Sequence, residues 1–120
     1  MKRELLTRPA KNSQEGTNTW HDHEEMVWAI RDWAVRIGVR APQLRLQAMD
    51  TKWGVISSPG WMTLHPDLLT LPKDLGEFVI VHELVHLLVS NHGKLFKCFM
   101  DAYLPDWEEK EQRLQTYVMK

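Results

Sequence analysis

The sequence predicts an α+β fold: an N-terminal helix packed on a short antiparallel β-meander, then a buried helix and further C-terminal helices. Three observations predict it. Apolar residues recur at a helical period from Met26 to Ile37. From Gln43 the period changes to two, as a half-buried strand requires. A stretch rich in Val, Leu and Ile at 78–88 then carries His82-Glu83-Leu84-Val85-His86, an H-E-x-x-H pattern in helical surroundings.

Each element has a local reason. Residues 1–20 are polar and include Pro9 and Gly16, so they predict a flexible tail ahead of a single domain at 21–120. His21, Asp22 and His23 read as a solvated helix start. Met26, Ile30, Trp33 and Ile37 then form one apolar stripe, which Gly38 ends. Leu44, Leu46 and Ala48 alternate with Arg45, Gln47 and Met49 in a first strand. Trp53 to Ser57 is a second strand, Ser58-Pro59-Gly60 a turn, and Trp61 to His65 a third. Asp74, with Glu77 three residues on, predicts a capping box that opens the motif helix, running from Leu75 to Ser90 or Asn91. A further helix spans Lys94 to Tyr103, and Pro105, Asp106 and Glu109 open a last one.

Composition bounds the function. A chain of 120 residues fits one domain with a modest core. The formal net charge of −1 gives no general attraction to nucleic acid or anionic lipid. The single cysteine, Cys98, excludes an internal disulfide and a zinc site built from several thiolates, and its apolar neighbours predict a small buried hydrophobe. No apolar run is long enough to span a membrane, and the polar start is unlike a signal peptide, so a cytoplasmic protein is expected. The six tryptophans are assigned to the core. Oligomeric state stays open.

The motif carries the chemistry. Residues four apart on a helix lie one turn above each other, so His82 and His86 can aim at one metal ion. Glu83 stands beside that point, placed to act as general base on a water. Burying these three polar groups in a greasy run without a shared partner would be costly, which weighs against a core helix that mimics the motif. Catalytic zinc usually takes three protein ligands and leaves one position open. The third is His92 in Asn91-His92-Gly93, if Gly93 adopts a left-handed turn that folds the chain back, or a carboxylate among Glu108, Glu109 and Glu111. The third strand, Trp61, Met62, Thr63 and Leu64, directly precedes the motif helix and is the candidate strand for aligning an extended peptide. His65, Tyr103 and Tyr117 are available as extra donors, with structural roles the simpler reading.

Residues 78–88, with Asn91-His92-Gly93-Lys94-Leu95-Phe96, resemble the small zincin metallopeptidases of the YgjP-like and SprT-like group. Lys52-Trp53-Gly54 and Leu104-Pro105-Asp106-Trp107 resemble the same group, so the likeness covers roughly residues 43–116. The resemblance implies one catalytic Zn²⁺ held by His82, His86 and His92, with Glu83 as general base. Where family members often carry Gly-Ser-Cys-Ser this chain has Gly54-Val55-Ile56-Ser57, so any role of that cysteine is missing. The length is also similar to that of the minigluzincins, whose third ligand is a glutamate, which keeps the acidic alternative open.

The expected function is therefore zinc-dependent hydrolysis of peptide bonds in peptides or proteins, with the protein's own tails as candidates to hold it latent. Two other readings remain at this stage. One is a metal-dependent hydrolase of a non-peptide substrate such as a nucleotide. The other is a non-catalytic, zinc-stabilised interaction domain. SprT-like relatives act on DNA-bound proteins, but the absence of a basic stripe here argues against a nucleic-acid partner.

Overall fold

The computed structural model describes residues 19–57 and 60–117. The elements follow in the order α1 (His23–Ile37), β1 (Gln43–Leu46), β2 (Gly54–Ser57), β3 (Trp61–Leu64), a 3₁₀ turn (Pro66–Thr70), α2 (Lys73–Val85), α3 (Lys94–Tyr103) and α4 (Trp107–Gln115). The α+β class and the run of helices after the strands match the expectation.

Helix α2 organises the rest. Leu75, Phe78, Val79, Ile80, Val81, Leu84 and Val85 are all buried on it, so it is apolar on nearly every side. Such a helix is stable in water only when neighbours cover it all round. α1, α3, α4 and β2 do so. α1 contributes Met26, Ile30, Trp33, Ala34 and Ile37, the predicted stripe. Trp33 Nε1 donates to Glu77 across this contact at 2.8 Å. Gly38, at φ 88°, ends α1 in a left-handed conformation that costs a glycine nothing.

The sheet departs from the predicted antiparallel meander. Its order is β1-β3-β2, with β3 parallel to β1 and antiparallel to β2. Burial explains the order: Met62 and Leu64 are fully buried and Thr63 nearly so, whereas β1 alternates exposed and half-buried residues. The most buried strand takes the centre, and the 47–53 link carries the chain across it. A strand paired on both sides has no free edge to offer, so Trp61, Met62, Thr63 and Leu64 are not the peptide-aligning strand. The free edges belong to β1 and β2.

Helix starts also differ. The predicted capping box at Asp74 and Glu77 does not form: Pro72 is the N-cap of α2, Asp74 pairs with Arg113 of α4 at 2.8 and 3.3 Å, and Glu77 accepts from Trp33. A cap does form at α1, where Asp22 accepts from the Glu25 N–H and Glu25 accepts from the His21 N–H. At α4 the Asp106 side chain binds Lys110 rather than capping, at 2.6 Å. Cys98 is exposed on α3, not buried, because Phe96 and Met100 take the inward positions.

Part of the predicted tail belongs to the fold. Thr19 bridges to Pro72, and Trp20 is buried against α2. The rest of the tail, 1–18, and the last residues, 118–120, lie outside the described residues. Among the described residues no helix is long and apolar enough to cross a membrane.

Trp20 sits so close to α2 that a Cβ at Gly76 would come within 2.4 Å of its Nε1. Alanine in a helix interior normally gains about 1 kcal/mol over glycine. Here Gly76→Ala should instead destabilise by about 2 kcal/mol through overpacking. Urea unfolding followed by tryptophan fluorescence checks the sign, and a stabilised variant would contradict this packing.

Candidate metal centre

The site forms where α2 ends. His82 lies in its last turn and His86 is its C-cap, so the helix stops at Val85 rather than at the predicted Ser90 or Asn91. The break frees the following turn, and His86 Nδ1 meets the Val89 carbonyl oxygen at 3.1 Å. With Nδ1–H donating there, the His86 Nε2 lone pair is left for a cation. Gly93 has φ −80° and is not left-handed. The chain reverses instead through an Asx turn, in which the Gly93 N–H donates to Asn91 Oδ1 at 2.9 Å. A Cβ at Gly93 would meet that oxygen at 2.8 Å, which explains the glycine. The turn carries His92 back over the helix end.

Three imidazole nitrogens converge as a result. The Nε2–Nε2 separations are 3.2 Å for His82–His86, 3.0 Å for His86–His92 and 3.3 Å for His82–His92. Tetrahedral zinc with Zn–N of about 2.0–2.1 Å spaces its ligand nitrogens by about 3.3 Å, so the donor set fits that ion closely. Among the described residues this is the one group of three or more potential ligands gathered in this way. Glu108, Glu109 and Glu111 are not brought to it. They lie on α4, which is tied by Arg113 to Asp74, in the first turn of α2.

Phe96 is the residue that sequence reasoning passed over. It is 2 % exposed and touches all three imidazoles, stacked on His86 at 4.8 Å and edge-on to His82 and His92 at 5.1 and 4.9 Å. Phe78 adds an edge contact to His82. An aromatic wall on this side fixes the rings and excludes water. The signal was present in Asn91-His92-Gly93-Lys94-Leu95-Phe96, where Phe96 opens the inward stripe of α3 continued by Met100.

Burial sets the protonation states. It pushes the His82 imidazole down to about 4, helped by the neighbouring His86 and His92. Burial also lowers His86. Neutral rings are the form that binds metal. The Glu83 carboxyl is pushed up to about 7 by burial, against the opposing pull of the Ile56 N–H that donates to it and of the Lys52 charge. The Ile56 contact also orients β2. The His65 N–H donates to the Trp53 carbonyl at 2.9 Å, so alternate residues of this strand face β3. Gly54 and Ile56 therefore turn their backbone groups to the outer edge, beside Glu83. A Cβ at Gly54 would press on Val79 and Leu64 at 2.7 and 2.9 Å, so glycine lets the strand lie close to α2.

The other candidate donors have structural contacts. His65 is 1 % exposed, and its Nδ1 accepts from the Asp67 N–H while its ring meets Trp53 edge-on. Tyr103 stacks on Phe99 and meets Trp33 edge-on.

A family model described as the YgjP-like metallopeptidase domain matches residues 8–117. This chain belongs to the YgjP-like metallopeptidases. The match begins at residue 8, so the family's domain includes much of the stretch read above as a tail. Solved structures share the fold. The metallopeptidase zymogen abylysin of Pyrococcus abyssi superposes with TM-score 0.68 at 24 % identity, over 77 % of this chain and 96 % of that one. The metallopeptidase zymogen jannalysin of Methanocaldococcus jannaschii gives 0.65 at 18 % identity, over 73 % and 91 %. A comparison with curated proteins finds no match.

The two most strongly shifted groups of this YgjP-like domain predict how the metal-free protein responds to pH. Glu83 is raised, so its contribution to stability is full below pH 4.5 and is lost as pH rises through about 7. His82 is depressed, so its contribution is present above pH 6.5 and is lost as pH falls through about 4. Between pH 4.5 and 6.5 the two slopes oppose, and metal-free protein should be most stable there. Melting temperatures across pH 3–9 check the plateau, and NMR titration should find His82 still neutral at pH 5.5. Phe96→Ala should cost about 3–5 kcal/mol of stability. It should also weaken metal binding, as read by chelator competition.

Proposed function

We propose that this domain is a zinc-dependent metalloendopeptidase in which His82, His86 and His92 hold one zinc ion and Glu83 is the general base. The observation that carries this reading is the convergence of three imidazole nitrogens within 3.3 Å beside a buried carboxyl poised near neutral pH. When bound, zinc supplies a Lewis acid that acidifies a water and polarises the scissile carbonyl. Glu83 accepts the water's proton on a carboxylate oxygen while the water oxygen bonds to the carbonyl carbon. Glu83 then returns that proton to the amide nitrogen as the C–N bond breaks. A carboxyl with a pKa near the working pH is suited to both halves of this exchange.

The outer edge of β2 takes the role that the sequence assigned to β3. The Gly54 backbone groups and the Ile56 carbonyl, the Ile56 N–H being held by Glu83, would align an extended peptide by main-chain hydrogen bonds across the site. Membership of a metallopeptidase family favours peptide hydrolysis over a nucleotide substrate or a non-catalytic domain. Residues 21–120 would act as a single peptidase domain behind the 1–20 segment. The terminal segments, 1–18 and 118–120, would hold it latent, a reading supported by two fold neighbours that are themselves zymogens.

Glu83→Gln should retain zinc and lose peptidase activity by about 10²–10⁴-fold. The same variant should stabilise the metal-free protein at pH 8 by on the order of 2 kcal/mol, because no buried carboxylate need then be charged. Zinc content, cleavage of a quenched peptide library and thermal melts read the three effects, and full activity in the variant would remove Glu83 from its role. Deleting residues 1–18 or 118–120 should raise activity. If neither deletion changes it, the tails do not hold the enzyme latent.

A further inference from the structure

A cavity of about 490 Å³ opens beside the catalytic edge, lined by Val39, Pro42, Ile56 and Leu87 together with Arg40 and Ala41. It lies where the loop after α1 meets the end of β2. Two of its walls belong to the site itself: Ile56 gives its backbone N–H to Glu83, and Leu87 follows His86 directly. Leu87 is 45 % exposed and Leu88 42 %, so the turn after α2 leaves apolar side chains uncovered at the cleft. The lining is mostly aliphatic, completed by Ser57 and Gly60, and the volume falls in the ordinary range of ligand pockets, about 300–1,000 Å³. Arg40 is the single charged residue among those lining it.

We propose that this cavity is the specificity subsite of the peptidase, taking a bulky aliphatic or aromatic side chain of the substrate, with Arg40 pairing with an acidic residue next to it. The proposal rests on β2 being the edge that aligns the peptide. An extended peptide advances about 3.3 Å per residue and alternates its side chains. One laid along Gly54 and Ile56 therefore presents a side chain to the cavity within a residue or two of the scissile bond. An apolar wall rewards a large apolar side chain over alanine by about 10–200-fold. A lone guanidinium favours a neighbouring carboxylate and disfavours an ammonium.

The test uses the zinc-loaded Glu83→Gln protein, which consumes its ligand too slowly to matter, both full-length and with residues 1–18 and 118–120 removed, and blocked peptides in an alanine background. One peptide places leucine beside glutamate, a second replaces the leucine with alanine, and a third replaces the glutamate with lysine. With the first, the NMR amide signals of Val39, Ile56 and Leu87 should shift, and the second should bind at least tenfold more weakly. Adding Ala41→Phe should fill the cavity and remove the leucine preference. Adding Arg40→Glu, a surface change, should invert the preference between glutamate and lysine. Equal binding of the leucine and alanine peptides, or shifts confined to other residues, would overturn the subsite. Cleavage by the native protein is mapped in parallel. Leucine-dependent binding without any native cleavage would support the subsite and sink the catalytic reading. Cleavage with no side-chain preference would sink the subsite and leave Glu83 in place.

Discussion

Three imidazole nitrogens held within 3.3 Å of one another are an unstable arrangement unless something positive lies between them. Their lone pairs converge, and hydrogen bonds among the rings cannot satisfy all three at once. Protonating His82 is resisted by burial and by the other two rings. A divalent cation would resolve the conflict, and much of the fold works to hold the three rings together. α2 sets two rings one turn apart, its early end releases the chain, Asn91 turns it, and Phe96 walls the cluster. The same burial that lowers His82 and His86 raises Glu83. One physical cause thus acts on the imidazoles and the carboxyl together.

The central helix makes this arrangement possible. Past its first turn α2 is covered on nearly every side, so its polar groups there either pair with a neighbour, as Glu77 does with Trp33, or lie towards its end, as His82 and Glu83 do. Side-chain ties hold its neighbours in register: Trp33 to Glu77 from α1, and Arg113 and Lys110 to Asp74 from α4. They act at the start of the helix, leaving its end free for the histidines. The close approach of β2 at Gly54 then sets a strand edge beside Glu83. With β2 rather than β3 as the proposed aligning edge, substrate, Glu83 and the three imidazoles would share one face.

Local patterns were legible in the sequence wherever one element decided the outcome. The stripe Met26, Ile30, Trp33 and Ile37 and the helix Lys94–Tyr103 depend only on nearby residues, and both formed as expected. His82 and His86 follow from helix geometry alone. Partner choice was not legible, because it is decided at long range. Alternation shows which face of a strand is buried but not which strand lies beside it, so the meander and the role of β3 failed together. Asp74 had the look of a cap, yet Arg113, remote in sequence, competes for its carboxylate more strongly than the local N–H groups do. Trp20 read as tail because its partner, Gly76, is apparent only in three dimensions. Phe96 had no polar chemistry to announce it, and its importance comes from what it touches.

In the proposed zinc site the third ligand is an imidazole supplied by the turn after α2, not a carboxylate of α4. X-ray absorption fine structure at the zinc edge, on the zinc-loaded native protein at pH 7.5, tests this most directly because multiple scattering counts imidazole rings. Three imidazoles per zinc are expected, with Zn–N of about 2.0–2.1 Å. Two imidazoles and a carboxylate would contradict this and move the third ligand to Glu108, Glu109 or Glu111.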